Sequence, residues 1–197
     1  MNPKTIQTYN QLAKEYDDET TPFWELFPRT FIDKFAELTN GRIIDVGSGP
    51  GRDALILKQK GFDITCLDAS EAMVKISQEK GLKSVVGNFN NIPFNNGSFD
   101  GAWAYTSLLH IPKSKIKQSL NEIRRVLKPQ GILGLGLIEG DTEGYKETGG
   151  INLPRWFSFY TKREVEKLLK EVNFEIVYFE QFKPKSKNYL NFIGRKI

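Results

Sequence analysis

Short apolar runs alternate with amphipathic, helix-length segments along most of this chain, and that alternation restricts it to a sheet with helical crossovers. The runs are RIIDVG (Arg42 to Gly47), FDITCLD (Phe62 to Asp68), KSVVG (Lys83 to Gly87), FDGAWAY (Phe99 to Tyr105) and GILGLGLI (Gly131 to Ile138). Runs this uniformly apolar suit parallel strands covered on both faces. Helices are predicted over Arg52 to Lys60, Ser70 to Lys80, Lys113 to Leu127 and Thr161 to Val172. Ser70 is the expected N-cap of the second. In the third, Ile116, Leu120, Ile123 and Leu127 share one face, and Pro129 stops the helix. Thr161 with Glu164 has the spacing of a capping box. Two late runs, FEIVYFEQ (Phe174 to Gln181) and YLNFIGRKI (Tyr189 to Ile197), have only a polar loop between them and predict an antiparallel hairpin at one sheet edge. Residues 1–40 read as two helices with no strand partner, so they are expected to pack on or over the ligand edge.

The fold class is therefore α/β. Length argues for a single domain: a helical cap over 1–40, a core over 41–197, and a substrate-side loop over 139–160. Apolar residues make up 39% and charged residues 26%, which excludes a disordered chain. GILGLGLI is too short to span a bilayer, and the first residues, MNPKTIQTYN, lack the apolar core of a signal peptide. Cys66 is the only cysteine, so no internal disulfide forms and a cytoplasmic location is expected. Net charge is +4, and five basic residues with no acidic one follow from Lys183 onward. That excess permits an RNA or acidic partner. It is read instead as a solvated helix face and a solubilising tail, because no RNA-binding signature accompanies it. No Cys/His cluster has metal spacing, so no metal is expected. The sequence does not fix the oligomeric state.

In open α/β sheets, ligands bind beyond the carboxyl ends of the strands. The loop after the first strand reads Gly47-Ser48-Gly49-Pro50-Gly51. Its glycines allow a tight turn and close ligand approach. Asp68 ends the second strand, 17 residues after Gly51, where a carboxylate accepts hydrogen bonds from both hydroxyls of a ribose. A dinucleotide fingerprint requires glycine at the sixth position, and Arg52 stands there. Asp45, two residues before Gly47, would repel a pyrophosphate but suits a ligand with an ammonium and a sulfonium. S-adenosylmethionine has both and no phosphate. A helix cap, or a hydrogen bond to loop amides, is the alternative use of Asp45.

IIDVGSGPGRDALIL, ITCLDASEAMV, VVGNFNNIPFNNGSFDGAWA and RRVLKPQGILGLG together resemble the class I S-adenosylmethionine-dependent methyltransferases, particularly their small-molecule branch. The resemblance covers roughly Gly41 to Leu137. It implies a Rossmann-like seven-stranded sheet of order 3-2-1-4-5-7-6, mostly parallel with the last strand antiparallel. It also implies that Asp45, Gly47, Ser48, Gly49 and Gly51 hold the methionine portion, with Arg52 and Asp53 next to them. Asp68 would hold the ribose, and Ala69 and Met73 would line the adenine. Asn88-Phe89 stands where the family usually has Asp-Ala, and an Asn carbonyl still accepts a hydrogen bond from the adenine amine. Tyr105 to His110 would pass under the methyl. YNQLAKEYD is similar to a family segment that closes over the cofactor, which nominates Tyr9 and Tyr16; aromatic packing between helices is the other reading of that pair.

His110, the only histidine, is the candidate base by position, with Tyr105 beside the reacting group. Backbone hydrogen bonding that orients its loop is the competing role for His110. Tyr145, Arg155, Trp156 and Tyr160, in the long segment after the fifth strand, are candidates to shape the acceptor pocket. Arg155 would suit a carboxylate or phosphate, while the aromatics alternatively fold the loop onto the sheet. The function expected is methyl transfer to a small-molecule acceptor. A tRNA or rRNA methyltransferase, a non-catalytic cofactor-binding subunit and a nicotinamide oxidoreductase are the alternatives.

Overall fold

The computed structural model describes residues 2–25, 29–148 and 151–197. Three helices precede the sheet, not two: α1 (Pro3–Gln11), α2 (Ala13–Glu25) and α3 (Thr30–Leu38). The helix breaks at Leu12, whose φ of −118° and ψ of 25° leave the helical region. The core then runs β1 (Arg42–Val46), α4 (Arg52–Gln59), β2 (Asp63–Asp68), α5 (Glu71–Glu79), β3 (Lys83–Val86), β4 (Phe99–Tyr105), α6 (Ile116–Val126) and β5 (Leu127–Ile138). It closes with β6 (Glu143–Thr148), β7 (Ile151–Ser158), α7 (Lys162–Glu171), β8 (Phe174–Phe182) and β9 (Tyr189–Lys196).

Seven strands form one sheet in the order β3-β2-β1-β4-β5-β9-β8. This is the expected order, with the last two labels displaced by an extra hairpin. β9 lies antiparallel to both β5 and β8, and the remaining pairs are parallel. The segment expected as a loop over 139–160 instead carries that hairpin, β6–β7, as a separate two-stranded sheet. Its support comes from α1: Thr8 Oγ1 donates to the Pro154 carbonyl at 2.9 Å, and the Trp156 N–H donates to Thr5 Oγ1 at 2.8 Å. A pairing that depends on residues some 146 positions away has no local signature.

Side chains of β1 alternate across the sheet. Ile44 and Val46 join the buried cluster under α6 and α7, while Ile43 joins the one under α3 and α4. Ile116, Leu120 and Ile123 are each at most 1% exposed, so the expected stripe is the buried one. Each such side chain contributes about 1.5–3 kcal/mol on burial. α6 ends one residue earlier than expected, because Leu127 turns extended (ψ 139°) and pairs with Phe99. Ser70 caps α5, and Thr161 and Glu164 complete the capping box of α7.

Candidate active site

β1 and β2 pair in parallel, with Asp45 opposite Cys66 and Val46 opposite Leu67. Their carboxyl ends therefore finish together, and the loop after one meets the acid ending the other. Gly47 and Ser48 N–H both donate to the Leu67 carbonyl, at 2.7 and 3.1 Å. Asp68 returns the tie: Oδ2 accepts from the Gly49 N–H at 2.9 Å and Oδ1 from the Ser70 N–H at 2.8 Å. Burial raises the Asp68 carboxyl above its ordinary range, against the opposing pull of these amides.

Beyond these ends lies a cleft of about 420 Å³ of atom-free space, counting its mouth. The loop Gly47-Ser48-Gly49-Pro50 and Asp68 form its floor. Met73, Tyr9 and Tyr16 bound it on the side of α5, α1 and α2, and Tyr105 to Ser107 with His110 bound the other. Tyr9 and Tyr16 meet edge to face at 5.3 Å. α1 is held down by Asn10, whose Oδ1 accepts from Ser70 Oγ at 2.7 Å and from the Ala72 N–H at 3.2 Å.

Pro50 was expected only as part of the glycine-rich loop, and Thr106 and Ser107 only as part of the stretch from Tyr105 to His110. Thr106 has φ +52°, a strained value for a β-branched residue, and such strain clusters at functional sites. Ser107 Oγ donates to the Val46 carbonyl at 2.6 Å, tying β4's exit to the end of β1. Nothing in the sequence marks either role.

His110 is 6% exposed with both ring nitrogens engaged. Nδ1 lies 2.6 Å from the Trp156 carbonyl, which only accepts, so Nδ1 carries the proton. Nε2 then accepts from the Tyr9 hydroxyl at 2.8 Å, and Arg155 donates to that hydroxyl oxygen at 3.3 Å. Burial pushes the imidazole down to about 3, with Arg155 and Lys187 adding to the shift and the Trp156 bond opposing it. Burial likewise raises the Tyr9 phenol.

Two expectations follow. A histidine with a depressed folded pKa stays neutral while the unfolded chain takes up a proton. Stability contributed by His110 is therefore present above about 6.5 and falls as pH drops from there towards 3. Denaturant unfolding of wild type and His110→Gln across this window checks it, and parallel pH profiles would refute it. Tyr9→Phe leaves Nε2 buried without a donor and is expected to cost about 1–3 kcal/mol, read from urea midpoints.

The other expected site residues lie around this cleft rather than along it. Asp45 is 3% exposed; burial raises its carboxyl well above the usual range, with Asp53 and Asp68 adding to the shift and Arg52 and Arg29 opposing it. Asp53 accepts from Trp103 Nε1 at 2.8 Å and pairs with Arg29. Arg52 donates to the Thr20 carbonyl at 3.1 Å and sits over the Tyr16 ring. Gly51 is the N-cap of α4, and Ala69 links Asp68 to the cap of α5. Phe89 is fully buried beneath Gly47, and Asn88 Oδ1 accepts from the Asn90 N–H at 3.1 Å. Trp156 presents its carbonyl to His110, and Arg155 stands behind Tyr9 at 5% exposure. Tyr145 is exposed and bonds Asn2, while Tyr160 is buried beside Lys113 in a different groove, between α6 and α7.

Residues 44–135 match a family described as Methyltransferase domain. Residues 44–135 therefore carry a methyltransferase domain, set in the strand order that the resemblance to class I S-adenosylmethionine-dependent methyltransferases implied. Over 96% of its length it is 27% identical to an uncharacterized protein of Methanocaldococcus jannaschii, spanning 89% of that protein. Over 59% of its length it is 32% identical to the sarcosine/dimethylglycine N-methyltransferase of Aphanothece halophytica, of which it spans 46%. Among solved structures it superposes with a TM-score of 0.71 on the 1,6-didemethyltoxoflavin-N1-methyltransferase of Burkholderia thailandensis, a complex with 1,6-didemethyltoxoflavin and S-adenosylhomocysteine. That match is 17% identical and covers all of this chain and 91% of the other.

The cofactor of the methyltransferase is S-adenosylmethionine, and the residues present fit it. Ser48 Oγ is a buried polar atom of the cleft with no hydrogen-bonding oxygen or nitrogen partner among the described residues, only the Cys66 thiol nearby. A Cβ on Gly49 would meet nothing within 4 Å, so the loop offers bare backbone to a ligand. Among the described residues no group of three His, Cys, Asp or Glu is placed to hold a metal, and no helix is long and apolar enough to cross a membrane.

Proposed function

We propose that the methyltransferase acts on a small-molecule acceptor bound next to Tyr105 and His110. The observation that supports this reading is the cleft's roof: α1 and the β6–β7 hairpin close over it through the Tyr9–His110–Trp156 hydrogen bonds. An enclosed cleft suits a metabolite better than a folded RNA. Four of the six basic residues from Lys113 to Lys128 are also engaged with carboxylates, which leaves fewer for a phosphate backbone. Lys113, Lys117, Arg125 and Lys128 are ion-paired with Glu164, Glu171, Glu122 and Asp100.

When bound, S-adenosylmethionine supplies an electrophilic methyl group. Asp68 holds the ribose hydroxyls, and Gly47, Ser48 and Gly49 line the methionine portion. Asp45 lies behind that loop, where burial favours its neutral form and a cationic cofactor would draw it towards its charged form. Tyr9, Tyr16 and Met73 cover the adenosine and keep water out. Tyr105 and Ser107 shape the acceptor side. His110 positions Tyr9 instead of removing a proton, because its free lone pair is already taken and its basicity is low. Alignment and exclusion of water then carry most of the rate. Residues 1–40 act as a cap on a core of 41–197 within one domain, which a single cooperative unfolding transition would bear out.

The decisive experiment incubates the protein with methyl-labelled cofactor and cell extract, then separates low-mass compounds from tRNA and protein. Label in the low-mass fraction is expected. Label in tRNA, with a steep salt dependence of tRNA binding, would replace this reading. Tight cofactor binding with no transfer to any fraction would mark a non-catalytic subunit.

A further inference from the structure

The face of the β6–β7 hairpin that meets His110 concentrates positive charge. Strand pairing sets Lys146 opposite Arg155 and Gly144 opposite Phe157, and the alternation of side chains puts all four on one face with Phe159. The Phe157 ring packs edge to face on His110 at 4.8 Å and stacks with Phe159 at 6.0 Å. The Arg155 guanidinium lies 5.2 Å and the Lys187 ammonium 6.0 Å from the centre of Phe157. The Lys146 ammonium lies 4.5 Å from the centre of Phe159. Lys187 arrives from the loop between β8 and β9, so the charges converge from two hairpins. They act on one another: partial burial, then Arg155 and Lys146, hold the Lys187 ammonium below its ordinary range.

No carboxylate is ion-paired with Lys146 or Lys187 among the described residues. Glu143 is taken by the Lys113 N–H at 2.7 Å and the Ser158 hydroxyl at 2.9 Å. Glu139, which meets the Lys187 loop, accepts from Asn188 Nδ2 at 2.6 Å. Ring faces hold ammonium groups in place but do not cancel their charge. Like charges brought together without a counter-charge repel, and an anion between them relieves that cost through charge-assisted hydrogen bonds. The approach is open. Lys146 and Lys187 are exposed, and a Cβ on Gly144, beside Lys146 and opposite Phe157, would meet nothing within 4 Å. The cluster also stands next to the cofactor cleft, because Phe157 and Arg155 touch His110 and Tyr9, which bound it. We propose that Lys146 and Lys187, with Arg155 behind them, bind an anionic group of the methyl acceptor, a carboxylate or a phosphate. The proposal rests on the small-molecule reading above and narrows it to acidic acceptors.

The test titrates the full-length protein, saturated with S-adenosylhomocysteine at constant ionic strength, with phenyl phosphate, benzoate and benzyl alcohol, followed by calorimetry. At least one anion is expected to bind saturably and about tenfold or more tightly than benzyl alcohol, and the tighter of the two names the anion. Lys146→Gln combined with Lys187→Gln should weaken that anion about tenfold or more, with S-adenosylhomocysteine affinity unchanged. Each single variant should weaken it about threefold or more, which covers the case where the double variant does not fold. Lys170→Gln, which removes an exposed charge on α7, should change nothing. No saturation, equal affinity for benzyl alcohol, unaltered binding by the folded variants, or equal weakening by Lys170→Gln would each overturn the proposal and leave lysines held only by rings and solvent. Binding of tRNA in place of the small anions, steep in salt and lost in the same variants, would replace it with an RNA surface. Label transfer to low-mass compounds alongside absent anion binding sinks this inference alone. Label transfer to tRNA sinks the small-molecule reading instead.

Discussion

Replacing Asp68 with alanine is expected to weaken S-adenosylhomocysteine binding by about 2–3 kcal/mol, roughly 30- to 150-fold. The variant loses the acceptor for the ribose hydroxyls. It also loses the two bonds that pin Gly49 and Ser70 beside the cleft. Asp68→Asn is not a conservative control. Each carboxylate oxygen faces a backbone N–H, so the amide must point its own N–H₂ at a donor wherever it turns. Both variants should bind weakly, with alanine also unfolding at lower urea. Calorimetry with S-adenosylhomocysteine reads the first effect, and wild-type affinity in Asp68→Ala would remove the residue from the cofactor site.

Gly47→Ala should have the larger effect on folding. Gly47 has φ +75°, where an L side chain costs about 1–2 kcal/mol. A Cβ there would stand 2.4 Å from the Ser107 Cβ and 3.0 Å from the Phe89 ring. Ser107 is bonded to the Val46 carbonyl and Phe89 is fully buried, so neither yields easily. Overpacking adds about 1–3 kcal/mol, for a total of about 2–5 kcal/mol in urea unfolding. Gly49→Ala makes the contrast. Its φ is +54° and its space is open, so it should cost stability only the backbone strain while obstructing the cofactor. If the two variants lost stability equally, the close approach of β4's exit to the loop would not be the reason for Gly47.

The loop and acid of the candidate cofactor site could be read from the sequence because they are local. A strand, a glycine loop and an acid at the next strand end all fall between Ile43 and Ala69, and parallel pairing brings them together. The acceptor half could not. Tyr145 and Tyr160 were attractive because they sit in one long segment, but that segment pairs with itself, and its residues alternate between faces. Tyr145 ends on the surface and Tyr160 in another groove. Asn191 drew no attention because it sits in a strand whose neighbours are apolar. Its amide bonds to Glu180 across the β8–β9 pairing, a contact that no local pattern encodes.

The sequence by itself determined the alternating α/β architecture, the strand order by resemblance, the caps of α5 and α7, and the identity of the cofactor. Each depends on contacts between near neighbours or on the period of apolar residues. Tertiary structure decided what His110 does, since its partners Tyr9 and Trp156 lie 101 residues before it and 46 after it. It also decided that the long segment is a hairpin, and that Asn191 Oδ1 is buried with no partner among the described residues. Those features arise where distant segments meet and exclude water, and burial, which no local pattern encodes, sets their chemistry.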